Sequence, residues 1–284
     1  ERRHAPSVAI IIPVHGQARY TQACLKRLDE TTGPGQSVEI IVVDDASTDE
    51  TPALLRRLSK TGAIRVLTNK QNLGFIHSCN RGAAAATGEV LVFLNNDTLP
   101  EPGWLEALLR VLATRPDAGA VGAKLLYPDG TLQEAGAVVF QDGSGWNIGR
   151  NEPCPRHPLF DHVRRVDYCS GAVLATPRAV FEKLGGFDTR YAPAYYEDVD
   201  YCFALRQHGY QVYYQPESVV VHFEGQTSGT ELDRGAKRYQ VTNREKFVTK
   251  WKHVLEHHRA PLEVNEAGWH LVSVRREEKR DDAR

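Results

Sequence analysis

The chain has 284 residues, 41% of them hydrophobic and 25% charged, with a formal net charge of −1. That is the composition of an ordinary soluble globular protein, long enough for one large α/β domain or two small ones. The charge balance argues against nucleic acid as a partner, and the longest apolar runs, such as residues 8–12, fall far short of a membrane span.

Taken in order, the first half alternates short apolar runs with helix-period segments, the pattern of a mostly parallel sheet covered by helices. Strands are predicted at Ser7–Val14, Val38–Val43, Ile64–Leu67 and Glu89–Leu94. Helices are predicted over Gln17–Thr31, from the capping run Ser47-Thr48-Asp49-Glu50 to Leu58, over Phe75–Ala86 and over Trp104–Thr114. The second half is less regular. Val121–Leu126 and Ala137–Phe140 read as strands joined by the turn Pro128-Asp129-Gly130, and Gln141–Arg165, rich in Gly, Pro and Asn, as a long mobile loop of the lid or binding kind. Order returns over Val166–Ala175, with a helix from near Pro177 and another over Glu197–His208. Strands at Gln211–Gln215 and Ser218–Phe223 precede a last helix over about Gly235–Trp251 and a solvated, mixed-charge tail, Arg275–Arg284.

Glu1-Arg2-Arg3-His4 leads straight into the first strand without a signal-peptide pattern, and the absence of any methionine suggests a piece of a longer protein. Five widely spaced cysteines without a C-x-x-C pair fit reduced, mostly buried thiols and a cytoplasmic location. His253, His257 and His258 have helical spacing, but no acid or cysteine completes a metal set, so a solvated helix face is expected.

Four constellations could carry chemistry. Asp44 and Asp45 end a strand, where open parallel sheets place their ligands; an acid there can accept from a base N–H or a ribose hydroxyl, or simply form a turn. The glycine-rich dinucleotide fingerprint and the Walker loop are both absent. Asn72-Leu73-Gly74-Phe75, leading to Asn80-Arg81-Gly82, offers close backbone approach at a helix start, where anions are favoured. Asn95-Asn96-Asp97 tips an apolar strand with one carboxylate, enough for Mg²⁺ or Mn²⁺ when phosphate oxygens and water complete the shell. His222, ending a later strand, could be a second ligand or a structural histidine. Glu197-Asp198 opens a helix whose N-terminus favours the ionised, proton-accepting carboxylate. The two acids project about 100° apart, so different roles are expected; Asp200 would cap or support the turn.

In this order the pieces resemble a family 2 glycosyltransferase with the GT-A fold, most of all the rhamnosyltransferase-like group that builds bacterial surface polysaccharides. The resemblance runs from about Val8 to Trp251. It is carried by residues 43–49, Asn72 to Asp97, Ser170-Gly171-Ala172, Leu184-Gly185-Gly186-Phe187-Asp188, Tyr196-Glu197-Asp198-Val199-Asp200 and His222. It implies one GT-A domain, with a nucleotide-binding half over about 7–126, an acceptor half over about 127–252, and a C-terminal helix and tail over 253–284. Pro13, Val14, His15, Asp44, Asp45, Asn72, Gly74, Asn80 and Asn96 would hold the nucleotide. Asp97, where the last acid of a D-x-D motif belongs, would hold Mn²⁺ or Mg²⁺ with His222. Asp198 would be the base and Glu197 would orient the acceptor, or the two roles are exchanged. Ser170 and Gly171 would line the acceptor side, and Gly186, Phe187 and Asp188 would shape the same pocket. The first acid of the metal motif is the amide Asn95, so weaker divalent-ion binding is expected.

The implied reaction is inverting, metal-assisted transfer from a dTDP-, UDP- or GDP-linked sugar to a glycan or lipid-linked acceptor, the latter requiring contact with the inner face of a membrane. A sugar-nucleotide pyrophosphorylase and a non-catalytic nucleotide- or glycan-binding module are the alternatives. Release of nucleoside diphosphate, release of pyrophosphate, or binding without turnover separates the three.

Overall fold

Alternation of side chains along the central strands divides the apolar residues between two cores, one on each face of a single sheet. The structure is a computed structural model and describes residues 6–33, 35–224 and 238–261. In chain order the elements are β1 (Val8–Val14), α1 (Ala18–Thr31), β2 (Val38–Asp44), α2 (Thr51–Ser59), β3 (Arg65–Thr68), α3 (Phe75–Ala85), β4 (Val90–Leu94), β5 (Thr98–Pro100) and α4 (Trp104–Thr114). They continue with β6 (Ala118–Leu126), β7 (Leu132–Glu134), β8 (Ala137–Val139), β9 (Gly145–Asn147), β10 (Arg164–Arg165), β11 (Val173–Pro177) and α5 (Arg178–Lys183). Last come α6 (Glu197–Gln207), β12 (Gln211–His222) and α7 (Tyr239–Leu255), with single 3-10 turns at Pro158–Phe160 and Thr189–Tyr191.

The main sheet runs β10-β12-β6-β11-β4-β1-β2-β3, with β5 on β12 and β7 on β6. Pairing is parallel for β1 with β2 and β4, β2 with β3, and β12 with β6; β11 enters antiparallel between β4 and β6. The sheet is therefore mixed but mostly parallel, as expected. Val8, Ile10, Ile12 and Val14 of β1 pack with Leu25 and Leu28 of α1 and Trp104, Leu105 and Leu108 of α4. Ala9 and Ile11 face the opposite core, built with α3, α6 and α7. The period of two puts an apolar residue on each face at every step, as covering both faces requires.

Several expectations for the second half are corrected. The turn at 128–130 joins β6 to β7, while Ala137–Val139 pairs with β9 in a separate two-stranded sheet. The two strands expected around Pro216 form one strand, β12, whose register slips between Gln215 and Val219; an irregularity there lets proline sit in a strand without breaking it. The expected mobile loop is packed: it carries β9, and Ile148 and Phe160 are fully buried. Isolated apolar anchors, not a period, hold it. His258 is not on a solvated face, since its ring stacks on Phe203 and its Nδ1 lies 2.8 Å from the Val139 carbonyl oxygen. The last helix is described from Tyr239; residues 235–237 and the 275–284 tail lie outside the described residues. All five cysteines are free, four of them buried.

Candidate active site

The carboxyl ends of β1, β2 and β4 open into a cavity of about 520 Å³, closed on the other side by residues 170–172, 193–195, 197, 198, 222 and 224 and the start of α7. Its donor-side wall is built on Asp45. One carboxylate oxygen accepts from Asn69 Nδ2 (2.6 Å) and the Leu73 amide (2.9 Å), the other from the Gly74 amide (2.7 Å). These bonds draw the segment before α3 against β2. Gly74 has φ +85°, and a Cβ there would sit 2.4 Å from the Pro193 Cβ, so only glycine suits both the conformation and the contact. Pro13, Val14, His15, Asn72 and Asn96 line the same wall. His15 Nδ1 lies 2.7 Å from the Asp45 carbonyl oxygen, and Asn96 Nδ2 donates to Thr21 Oγ1 (3.0 Å).

On the far side of β4, Asp97 and His222 come together, both nearly buried. His222 Nε2 is 3.4 Å from Asp97 Oδ1 and 3.5 Å from Asn95 Nδ2. Among the described residues no three His, Cys, Asp or Glu groups converge as a metal set. The pair alone still suits a hard divalent cation whose remaining ligands are phosphate oxygens and water.

The opposing wall carries the acid pair. Tyr195 and Tyr196 both adopt positive φ (75° and 73°), a sparsely populated conformation for such side chains, and turn the chain abruptly into α6. Asp198 Oδ2 accepts from the Gly171 amide and Oδ1 from the Val199 amide, at 2.9 and 2.8 Å. Burial pushes the Asp198 carboxyl up from its ordinary range, while these amides pull it back down. Glu197 is pushed well above its range by burial and then by the charge of Asp198. Its Oε2 is buried without a hydrogen-bond partner. Both carboxyls are thus raised by burial, and the amides of Gly171 and Val199 favour the ionised form of Asp198. Behind them Glu134, buried on β7, accepts from the Ser170 amide (2.9 Å) and is pushed up to about 8 by burial.

Five expected site residues stand away from the cavity lining. Asp44 accepts from the Ser47 amide (3.0 Å) and shapes the turn after β2. Asn80 clasps Phe187, donating to its carbonyl (2.8 Å) and accepting from its amide (2.9 Å). Phe187 is buried among Phe93, Phe181 and Tyr201, and Gly186 packs against Asn80. Asp188 caps the following 3-10 turn and pairs with Lys250. Asp200 binds Tyr191, Lys250 and Trp251, so it supports the turn as expected. The 141–165 segment contributes nothing to the cavity lining. Sequence reasoning assigned no site role to Ser78, Pro193, Ala194, Tyr195, Glu224, Arg238 or Tyr239, which do line it. Of these only Tyr195 gave a signal, as a bulky side chain beside an acidic helix start.

Comparisons with known proteins bear on the family and the fold. The family model described as "Glycosyl transferase family 2" matches residues 9–172. The chain is 33% identical over 227 residues to "O-antigen biosynthesis protein RfbC" of Myxococcus xanthus, covering 78% of this chain but 18% of that protein's length. It is 30% identical over 217 residues to an "N-acetylglucosaminyl-diphospho-decaprenol L-rhamnosyltransferase" of Mycobacterium tuberculosis, covering 68% of this chain and 69% of the relative. Among solved structures, GalNAc-T7 with UDP, GalNAc and Mn²⁺ superposes with a TM-score of 0.72 at 18% identity, over 89% of this chain and 50% of that one. The Pyrobaculum calidifontis mannosyltransferase PcManGT with GDP-Man and Mn²⁺ gives 0.62 at 23% identity, over 90% and 66%. The fold is the expected GT-A arrangement, α/β with a mixed, mostly parallel sheet. With more than half of its length matched by the family model, the chain belongs to glycosyl transferase family 2.

Proposed function

We propose that this chain catalyses inverting transfer of a sugar from a nucleoside-diphosphate donor to a hydroxyl of a glycan or lipid-linked acceptor, in the synthesis of a bacterial surface polysaccharide. The observation that carries the reading is the unequal acid pair: Asp198, held by two backbone amides, shares one cavity with the Asp97–His222 pair. Asp198 takes the proton of the acceptor hydroxyl as its oxygen attacks the anomeric carbon. The bond from that carbon to the diphosphate oxygen breaks on the opposite face, and the nucleoside diphosphate leaves with the bonding pair. Protonated Glu197 donates a hydrogen bond and places the acceptor, aided by the backbone at Ser170 and Gly171. Pro13, Val14, His15, Asp45, Asn72, Gly74 and Asn96 hold the nucleotide. Asp97 and His222 would hold Mn²⁺ or Mg²⁺, which when bound supplies the charge that stabilises the leaving diphosphate. The solved neighbours that contain Mn²⁺ with UDP or GDP-Man support this cofactor and donor class. The names of the bacterial relatives support the surface-polysaccharide role and a lipid-linked acceptor. No helix among the described residues is long and apolar enough to cross a membrane. The four buried free thiols suit a cytoplasmic enzyme, which would meet such an acceptor at the inner membrane face.

The test is nucleoside diphosphate release from UDP-, dTDP- and GDP-sugars with Mn²⁺ and a lipid-linked or glycan acceptor fraction, comparing the protein with Asp198→Asn. Turnover of one donor, lost in the variant, identifies both donor and base. Undiminished turnover in the variant refutes the assignment of Asp198.

A further inference from the structure

His222 can offer a lone pair to a cation only if the proton of its neutral ring sits on the other nitrogen. Its Nδ1 is 2.8 Å from Oε1 of Gln133, a fully enclosed residue of β7 that stands outside the cavity lining. Which end of that amide faces the ring is decided elsewhere. Gln133 Nε2 points to Glu224 Oε2 at 3.5 Å, and the same carboxylate oxygen is held by Arg150 Nη2 (2.8 Å) and the Tyr127 hydroxyl (3.2 Å). A carboxylate can only accept, so the amide presents NH₂ to Glu224 and its oxygen to the histidine. The ring must then carry its proton on Nδ1, leaving Nε2 bare toward Asp97 Oδ1.

We propose that Gln133 is a positioning residue for divalent-cation binding: anchored through Glu224 and Arg150, it fixes the His222 tautomer and ring orientation so that Nε2 and Asp97 face one ion. This rests on the reading that Asp97 and His222 are the ligands. A partner on the second nitrogen of a ligating histidine typically alters metal affinity by about 10- to 100-fold when removed. The same chain gives Arg150, deep in the segment expected to be a mobile lid, an indirect hold on the metal side of the cavity.

The metal-free protein is examined first, by ¹⁵N-detected long-range NMR of its histidines at about pH 8.5, two units above the ordinary histidine pKa. His222 is assigned by difference against His222→Asn. The expected result is a proton on Nδ1; a proton on Nε2, or on both nitrogens, overturns the proposal whatever the Gln133 variants do. Mn²⁺ affinity in the presence of UDP is then measured by electron paramagnetic resonance for Gln133→Leu, Gln133→Glu and Asp97→Ala. The leucine variant, lacking the acceptor, is expected to bind Mn²⁺ about 10- to 100-fold more weakly; the glutamate variant keeps an acceptor for Nδ1 but loses the NH₂ that Glu224 holds, and a smaller loss is expected. Unchanged affinity in Gln133→Leu beside a loss in Asp97→Ala refutes the role of Gln133 alone. Unchanged affinity in Asp97→Ala refutes the ligand assignment, and the proposal falls with it.

Discussion

Asp198 and Glu197 are adjacent in sequence but differently held: the Gly171 and Val199 amides point at both oxygens of Asp198, while Oε2 of Glu197 is buried without a hydrogen-bond partner. Asp198→Asn is therefore expected to lower kcat by about 10²- to 10⁴-fold while donor affinity, read by calorimetry, changes little. Since its carboxyl is raised, kcat/KM should fall as pH drops through a midpoint above the ordinary carboxylate value. Glu134 makes a separate prediction. Its folded pKa of about 8 exceeds the reference 4.5, so between those pH values the folded protein keeps a proton that the unfolded chain releases. Stability is then lost as pH rises across that window and is level above it. Glu134→Gln keeps the acceptor for the Ser170 amide and removes the titration. In denaturant unfolding, its stability relative to wild type should rise with pH over that window by on the order of a few kcal/mol. The acids at 97 and 197–198 were legible because each ends or begins an element with a clear apolar pattern. Gln133 and Glu134 were not: a polar pair on a three-residue strand reads as surface until tertiary packing buries it.

At the scale of elements, one joint brings the donor and acceptor walls together, and a second ties the acceptor-side segment 191–195 to α7. In the first, Gly74 rests on Pro193, and Gly74→Ala is expected to force the two apart, lowering both the melting temperature and nucleotide affinity. In the second, Asn243 of α7, fully buried, donates through Nδ2 to the carbonyls of Tyr191, Ala194 and Tyr195 at 2.7, 2.9 and 3.0 Å. Asn243→Ala leaves these carbonyls short of a donor, at a cost of about 1–3 kcal/mol, measurable by chemical unfolding. The βα units of the first half were readable because helix and strand periods alternate cleanly there. The second half was misread wherever structure depends on single anchors: Ile148 and Phe160 in the 141–165 segment, or the register slip that carries β12 past Pro216. Asp44 and Asp188, at element ends, and Asn80, in the middle of α3, show the same limit: an acid or amide that holds backbone looks in sequence like one that binds a ligand.

Over the whole molecule, the cavity is bounded by both halves of the chain, so donor and metal binding should report on the integrity of the entire fold. UDP and Mn²⁺ together are expected to raise the melting temperature more than either alone, since a ligand bound only by the folded form stabilises it by mass action. Removing the metal with a chelator, or Asp97→Ala, should abolish that extra shift while leaving the unliganded melting temperature nearly unchanged. The pairing of β5 with β12 has a consequence for how the protein is made. Thr98 lies opposite His222, so the metal-side wall joins segments separated by over a hundred residues. At about 5–20 residues per second of synthesis, that is a wait of many seconds on the ribosome. A nascent chain halted near residue 200 already contains β1 to β4 and the Asp45 anchor, but Asp97 has no histidine facing it. Premature termination would therefore yield fragments in which the proposed pairing of Asp97 with His222 is never made.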